Sequence, residues 1–252
     1  MCETCGCGDP GVVPVELQKN ILAKNDKAAS HNRQHFHSAR VLALNLMGSP
    51  GSGKTAVLEA TAQVQALVGG QTLAAVSADL ATDADAQRLN RSGIVSTSIT
   101  TGSACHLDAE LVHRALHNLP WQQAGILFIE NVGNLVCPAI YDLGQEFNVV
   151  ALSVTEGEDK PLKYPVMFRK ADLVLVTKVD LLPHLPNVKL ERIEAALART
   201  MPEPRFFPVS AMTGQGLDSW ITWLSERRRE LIERSLTEPV LPDHSHHDGS
   251  TP

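Results

Sequence analysis

Two groups of residues in this chain have the types and spacing to do chemistry. The first is rich in thiols. The sequence opens MCETCGCG, which sets Cys2, Cys5 and Cys7 close together with no apolar run nearby to explain them. Farther on, TGSACHLDAELV places Cys105 beside His106, and ENVGNLVCPA places Cys137 seven residues after Glu130. Thiolates and imidazole together are ligands for zinc or nickel. The alternative for Cys105 and Cys137 is a pair of inert buried thiols, since reduced cysteine packs as a small hydrophobe. Adjacent Cys and His side chains converge on one ion only from a bent backbone, so such a site is a candidate for completion across a dimer.

The second group is built for phosphate. GSPGSGKT, Gly48 to Thr55, carries the full G-x-x-x-x-G-K-[ST] spacing between an apolar strand and a helix. Gly48, Gly51 and Gly53, with Ser49 and Ser52 between them, let backbone N–H groups turn inward around phosphate oxygens. Lys54 brings an ammonium to the β- and γ-phosphates, and the Thr55 hydroxyl is a ligand for Mg²⁺. Asp79 and Glu130 each end an apolar strand, at the sheet edge where ligands bind in such folds. They complete the magnesium set with Thr55, and with Lys54 they are the catalytic candidates. Asp83 and Asp85 are assigned to capping the next helix.

The base is read from two later loops. In LVLVTKVD, Asp180 can accept from guanine N1–H and the exocyclic amine, and Lys178 can lie along the base plane. Ser210 and Ala211 of SAMTGQG resemble the loop that closes over guanine. Thr177 stands where Asn is usual, which removes one bracing amide. GTP is the nucleotide expected.

These residues need a frame. Strands are read at VLALNLMG, TLAAVSAD, GIVSTSI, GILFIENV, NVVALSVT, DLVLVTKVD and FFPVSA, each short, apolar and bounded by turn residues, as buried parallel strands are. Helical patterns such as TAVLEATAQVQALV and VKLERIEAALART lie between them. The expected fold is α/β, a P-loop GTPase with a doubly wound, mostly parallel sheet flanked by helices and with flexible terminal extensions. Residues 1–39 form a metal-binding extension with one short helix from Pro14 to Ser30. Residues 40–236 form the GTPase domain, and 237–252 a disordered tail containing His244, His246 and His247. Those histidines and the run His31, His35 and His37 are either weak nickel buffers or solvated polar segments. His113 and His117 are assigned to an exposed helix face.

Composition narrows the class. The chain has 252 residues, a formal charge of −6 and 43% hydrophobic residues. There is no basic block for nucleic acid, no apolar run of about 18 residues to span a membrane, and no signal-peptide pattern. The expected location is the cytoplasm, where five cysteines point to metal rather than disulfides.

Taken together, MCETCGCG, NLMGSPGSGKT, SADLATDADAQRL, TGSACHLDAELV, ILFIENVGNLVCPA, TKVDLLP and SAMTGQGL resemble the hydrogenase nickel-incorporation GTPase family, HypB. The resemblance covers nearly the whole chain in order. It implies a GTPase that dimerises with nucleotide and helps deliver Ni²⁺ to the hydrogenase large-subunit precursor. The implied partner is a small nickel metallochaperone, HypA-like. Cys105, His106 and Cys137 match the family's metal site near its dimer interface, for zinc or nickel, and Cys2, Cys5 and Cys7 match an N-terminal nickel motif. With Met1 removed, the Cys2 amine would complete an S₃N set suited to square-planar Ni²⁺. GTP hydrolysis to GDP is expected to be slow, because no arginine finger is evident near the phosphate motifs. Two other readings stand beside this one: a nickel-storage protein, and a related GTPase serving urease or a zinc enzyme.

Overall fold

The computed structural model describes residues 15–67, 70–79, 82–102 and 106–237. Seven strands form one sheet: β1 (Leu42–Met47), β2 (Leu73–Asp79), β3 (Val95–Thr100), β4 (Ile126–Glu130), β5 (Phe147–Ser153), β6 (Leu173–Thr177) and β7 (Phe206–Pro208). All pairings are parallel, in the order β3-β2-β4-β1-β5-β6-β7. The helices are α1 (Val15–Ser38), α2 (Lys54–Leu67), α3 (Ala84–Arg91), α4 (Ala109–Leu116), α5 (Lys160–Lys163), α6 (Pro165–Lys170), α7 (Leu190–Thr200) and α8 (Leu217–Thr237).

The inner strands β1, β2, β4, β5 and β6 are mostly apolar because both faces are covered, whereas the edge strand β3, VSTSIT, is more polar and largely half-buried or exposed. On one face Leu42, Leu44 and Leu46 pack with Leu58 of α2 and Trp220 and Leu224 of α8. Ala43, Leu127 and Ile129 meet Phe36 of α1 and Val112 of α4 on the other. Strands β5 and β6 pack against Met167, Phe168, Ile193 and Leu197. Strand β1 lies between β4 and β5, and the chain winds away from it in both directions. That switch point is where an open α/β sheet leaves a crevice beyond its strand ends.

Helix α1 differs from the expectation of a helix ending at Ser30 and a polar linker after it. The helix runs unbroken to Ser38 and docks on the domain. Its inward positions are Asn25, Ala29, Asn32 and Phe36, all buried and spaced three or four residues apart. Phe36 contributes about 1.5–3 kcal/mol by burial. The two asparagines are satisfied by backbone: Asn25 donates to Asp142 O and accepts from Ala109 N, and Asn32 donates to Ala109 O and Leu143 O. At the surface Arg33 holds both carboxylate oxygens of Asp142, and His37 bonds Glu146 at 2.9 Å.

No helix among the described residues is long and apolar enough to cross a membrane.

Candidate nucleotide and metal site

The turn after β1 has the backbone that its glycines predict. Gly48, Gly51 and Gly53 have φ of 148°, 73° and 93°. At Gly48 space decides as well, since a Cβ there would lie 2.4 Å from Ala151 O and 2.6 Å from Ser52 Oγ. The Lys54 ammonium donates to Gly48 O and Ser49 O at 3.3 and 3.2 Å. Burial pulls its pKa below the usual lysine range, and the carboxylates of Glu130, Asp85, Glu156 and Asp79 pull the other way. Ser49 Oγ and Ser52 Oγ are buried without a hydrogen-bond partner. Unsatisfied hydroxyls in a phosphate-binding turn fit a ligand rich in acceptor oxygens.

Glu130 ends β4 only 2% exposed. Thr55 Oγ1 donates to its Oε1 at 2.6 Å and Ser77 Oγ to its Oε2 at 3.0 Å. Burial raises the Glu130 pKa; the Thr55 bond and the Lys54 charge oppose that rise. Asp79 ends β2 and accepts from Thr82 Oγ1 at 2.6 Å. A cleft of ≈ 420 Å³ spans these strand ends and is bordered by Lys54, Thr55, Asp79, Glu130 and Lys178. Thr55, Asp79 and Glu130 thus present hard oxygen donors to one space, a set that fits Mg²⁺.

Two features of this cleft were not read from sequence. Asp83 holds the N-cap position of α3 but its side chain makes no capping bond, and Asp85 turns to Arg88 at 3.1 Å on the cleft wall. Asp83 thus caps the helix through its backbone alone, accepting from Gln87 N at 3.0 Å, and the capping assignment is corrected for Asp85. Arg88 also grips both oxygens of Glu59 at 3.1 and 2.6 Å, which raises its pKa further. An arginine thus stands at the cleft wall. The one available signal was the helical spacing of Asp85 and Arg88.

The TKVD turn and the loop bearing Ser210 and Ala211 lie side by side. Val179 N donates to Val209 O at 3.3 Å, which ties the TKVD turn to the segment preceding Ser210. Lys178 is left-handed, φ 58°, and its Nζ donates to Gly51 O at 2.7 Å. Thr177 Oγ1 donates to Ser52 O at 2.6 Å. A hydroxyl therefore braces the phosphate turn where an Asn was expected to be missed. Ser210 Oγ accepts from Met212 N and Thr213 N and folds its loop back beside Ala211, while Asp180 is half-exposed in a 3₁₀ turn, Val179–His184.

The thiol candidates divide. Cys2, Cys5, Cys7 and Cys105 lie outside the described residues, as do His244, His246 and His247. His106 is buried and stacks on Tyr141, with centroids 4.0 Å apart and planes 17° apart. Burial lowers its pKa, against the pull of Asp108, so the neutral imidazole that ligates metal is favoured. Cys137 is 3% exposed in a short turn four residues before Tyr141.

The segments bearing His106 and Cys137 are physically continuous with the phosphate turn. Asn131, next to Glu130, accepts from Leu107 N at 3.3 Å and Val132 N at 3.0 Å. Gly48 pairs with Asn134 in an antiparallel bridge, and a Cβ on Gly133 would meet Pro50 at 2.8 Å.

Comparison with known proteins addresses the family and the fold. Residues 42–208 match the family model of the CobW/HypB/UreG nucleotide-binding domain. The hydrogenase maturation factor HypB of Azotobacter chroococcum mcd 1 is 47% identical over 214 residues, 85% of this chain and 69% of that protein. The hydrogenase/urease maturation factor HypB of Helicobacter pylori is 38% identical over 86% of this chain and 89% of its own length. A crystal structure of the Helicobacter pylori HypB in complex with nickel superposes with a TM-score of 0.77, covering 82% of this chain and 96% of that one. HypB from Archaeoglobus fulgidus superposes at 0.75 with 36% identity, covering 82% of this chain and all of its own.

Proposed function

The chain belongs to the HypB family of hydrogenase maturation factors, and on that premise we propose that it is a GTP-hydrolysing accessory protein that moves nickel toward a hydrogenase large-subunit precursor. In this reading it works as a homodimer whose immediate partner is a small nickel metallochaperone. The observation that carries the reading is the short path from phosphate turn to metal segment. Glu130 receives the Thr55 hydroxyl, Asn131 holds the amide beside His106, Asn134 bridges Gly48, and Cys137 follows three residues on.

Gly48, Ser49, Gly51, Ser52, Gly53, Lys54 and Thr55 enclose the phosphates. Lys178 and Asp180 take the guanine, and the loop bearing Ser210 and Ala211 closes over it. Thr55, Asp79 and Glu130 would hold Mg²⁺. That ion neutralises charge gathering on the transferred phosphoryl oxygens. Nickel is cargo, held at Cys105, His106 and Cys137 and received through Cys2, Cys5 and Cys7, with zinc as the competing ion. A γ-phosphate that pulls on Thr55 and Gly48 strains the same segment that carries Asn131 and Cys137, so the nucleotide state changes metal affinity. Val136 and Ile140, 46% and 49% exposed on either side of the Cys137 turn, offer apolar surface to a second copy.

Lys54→Ala tests the coupling. It should abolish GTP binding and stop nickel transfer to the precursor, and transfer at the wild-type rate would overturn the reading. Anaerobic Ni²⁺ titration read by thiolate charge-transfer absorption tests the thiols: a tight band should vanish when residues 1–8 are removed. A second client, urease, is favoured by the dual hydrogenase/urease description of the Helicobacter pylori relative. Transfer to each apo-enzyme in parallel separates the two clients.

A further inference from the structure

Where α1 crosses α4 the surface carries four histidines. His31 and His35 lie on successive turns of α1, His113 lies in the last turn of α4, and His117 is the residue that caps its C-terminus. Each of His31, His35 and His113 offers a ring nitrogen, and the three nitrogens lie within 4.8 Å of one another. His31 Nε2 and His35 Nε2 are 3.0 Å apart. The ring centroids of His31 and His113 are 5.0 Å apart, and those of His113 and His117 are 5.1 Å apart.

One ligand is held by the interior. Asn32 is fully buried, and its amide nitrogen is committed to Ala109 O and Leu143 O. Its oxygen therefore faces His113 Nδ1, at 3.1 Å. That contact makes Nδ1 the protonated nitrogen of His113 and leaves the lone pair on Nε2. A carbonyl oxygen behind the imidazole is the arrangement that orients metal-bound histidines.

We propose that His31, His35 and His113 form a third metal site, an all-imidazole set for a divalent late first-row cation such as Ni²⁺ or Zn²⁺, with His117 beside it. It is separate from the cysteine-bearing segments and does not depend on the nucleotide reading. Imidazole suits these ions. With Zn–N bonds of about 2.0–2.1 Å, the nitrogens of a tetrahedral set stand about 3.3 Å apart. His31 and His35 are exposed, so rotamer changes there can close the remaining gap. His37, the third histidine of the same run, is excluded because its Nε2 is engaged by Glu146.

The site has a structural consequence. An ion bound there fastens α1, which follows the N-terminal cysteines, to α4, which begins three residues after His106.

The test is an anaerobic Ni²⁺ titration of the full chain at neutral pH, with equivalents counted by calorimetry and thiolate absorption followed in parallel. The wild type should bind one equivalent that adds no thiolate absorption. Replacing both His31→Gln and His35→Gln should remove that equivalent and leave the thiolate band at full amplitude. His113→Gln should do the same. The α1 pair is exposed, so an unchanged circular dichroism melt is expected of that variant. A silent equivalent that survives the double replacement belongs elsewhere, the tail histidines included, and overturns the proposal. Its absence from the wild type overturns it equally.

Discussion

Asn131→Ala is the sharpest test of the proposed coupling between the phosphate turn and the segment bearing His106. The side chain is 1% exposed, accepts from Leu107 N and Val132 N, and donates to Asn45 Oδ1 at 3.1 Å. Truncation leaves these buried groups without their partner. At about 1–3 kcal/mol per unsatisfied group, partly relieved by relaxation, the loss should be roughly 3 kcal/mol. For a domain of this size that corresponds to a fall of about 6–12 °C in melting temperature. The functional effect is separable from the stability effect. The Leu107 N bond is worth about 1 kcal/mol. If it transmits the nucleotide state to His106, its loss should cut the ratio of metal affinities between the GTP-analogue and GDP forms by about fivefold. The assay is Ni²⁺ titration of both nucleotide forms of wild type and variant, well below the variant's melting point. A lower melting temperature with an unchanged affinity ratio would mean that Asn131 is structural only, and the proposed path would be wrong.

Gly48→Ala should eliminate binding of a fluorescent GDP analogue, because its Cβ would collide with Ala151 O and Ser52 Oγ; retained affinity would show that the turn has another route to phosphate. Thr177→Ala removes the bond to Ser52 O, worth about 1 kcal/mol, and should raise the GDP dissociation constant about fivefold in the same titration. An unchanged constant would refute the bracing role. Glu146 is held down to about 2, mainly by the His37 hydrogen bond and then by Arg234, against the usual 4.5. Its folded value lies below its unfolded one, so its contribution is complete above about pH 4.5 and fades as pH falls toward 2. Denaturant titrations should therefore find Glu146→Gln less stable than wild type at neutral pH, with the gap shrinking through that window.

Much of the frame was legible because buried parallel strands are written as short apolar runs, and all seven were readable. The phosphate turn was legible for a related reason, since its glycines and lysine answer to local geometry. Helix α1 was hidden past Ser30 because its inward face is half polar. Asn25 and Asn32 occupy positions where a hydrophobic pattern would show Leu or Val, and only the backbone of residues 109 and 142–143 explains them. Arg88 was missed for a similar reason: Glu59, its strongest partner, lies 29 positions away on α2. His113 joins His31 and His35 across 78 or more positions, so no local pattern announces the cluster.

The buried amides of the central strands pose a final question of cost. Asn45 is fully buried in β1, where an aliphatic residue would pack without any polar group to satisfy. It is one link in a chain. Asn131 Nδ2 donates to Asn45 Oδ1, Asn45 Nδ2 donates to Asn148 Oδ1, and Gln145 Nε2 donates to that same Asn148 oxygen. The ends of the chain are backbone amides: Leu107 N on Asn131 and Leu143 N on Gln145. Those two residues flank the stacked pair, His106 beside Leu107 and Tyr141 two residues before Leu143. A line of side-chain amides through the sheet thus ties together the two segments that hold the buried imidazole, and it starts one residue from Glu130. Each amide costs desolvation that an apolar core would not incur. An apolar residue at position 45 would leave Asn131 Nδ2 unpaired and loosen the hold on Leu107. The retained polarity is therefore intelligible as a mechanical link between Glu130, which meets the phosphate turn, and His106, the imidazole proposed to hold metal.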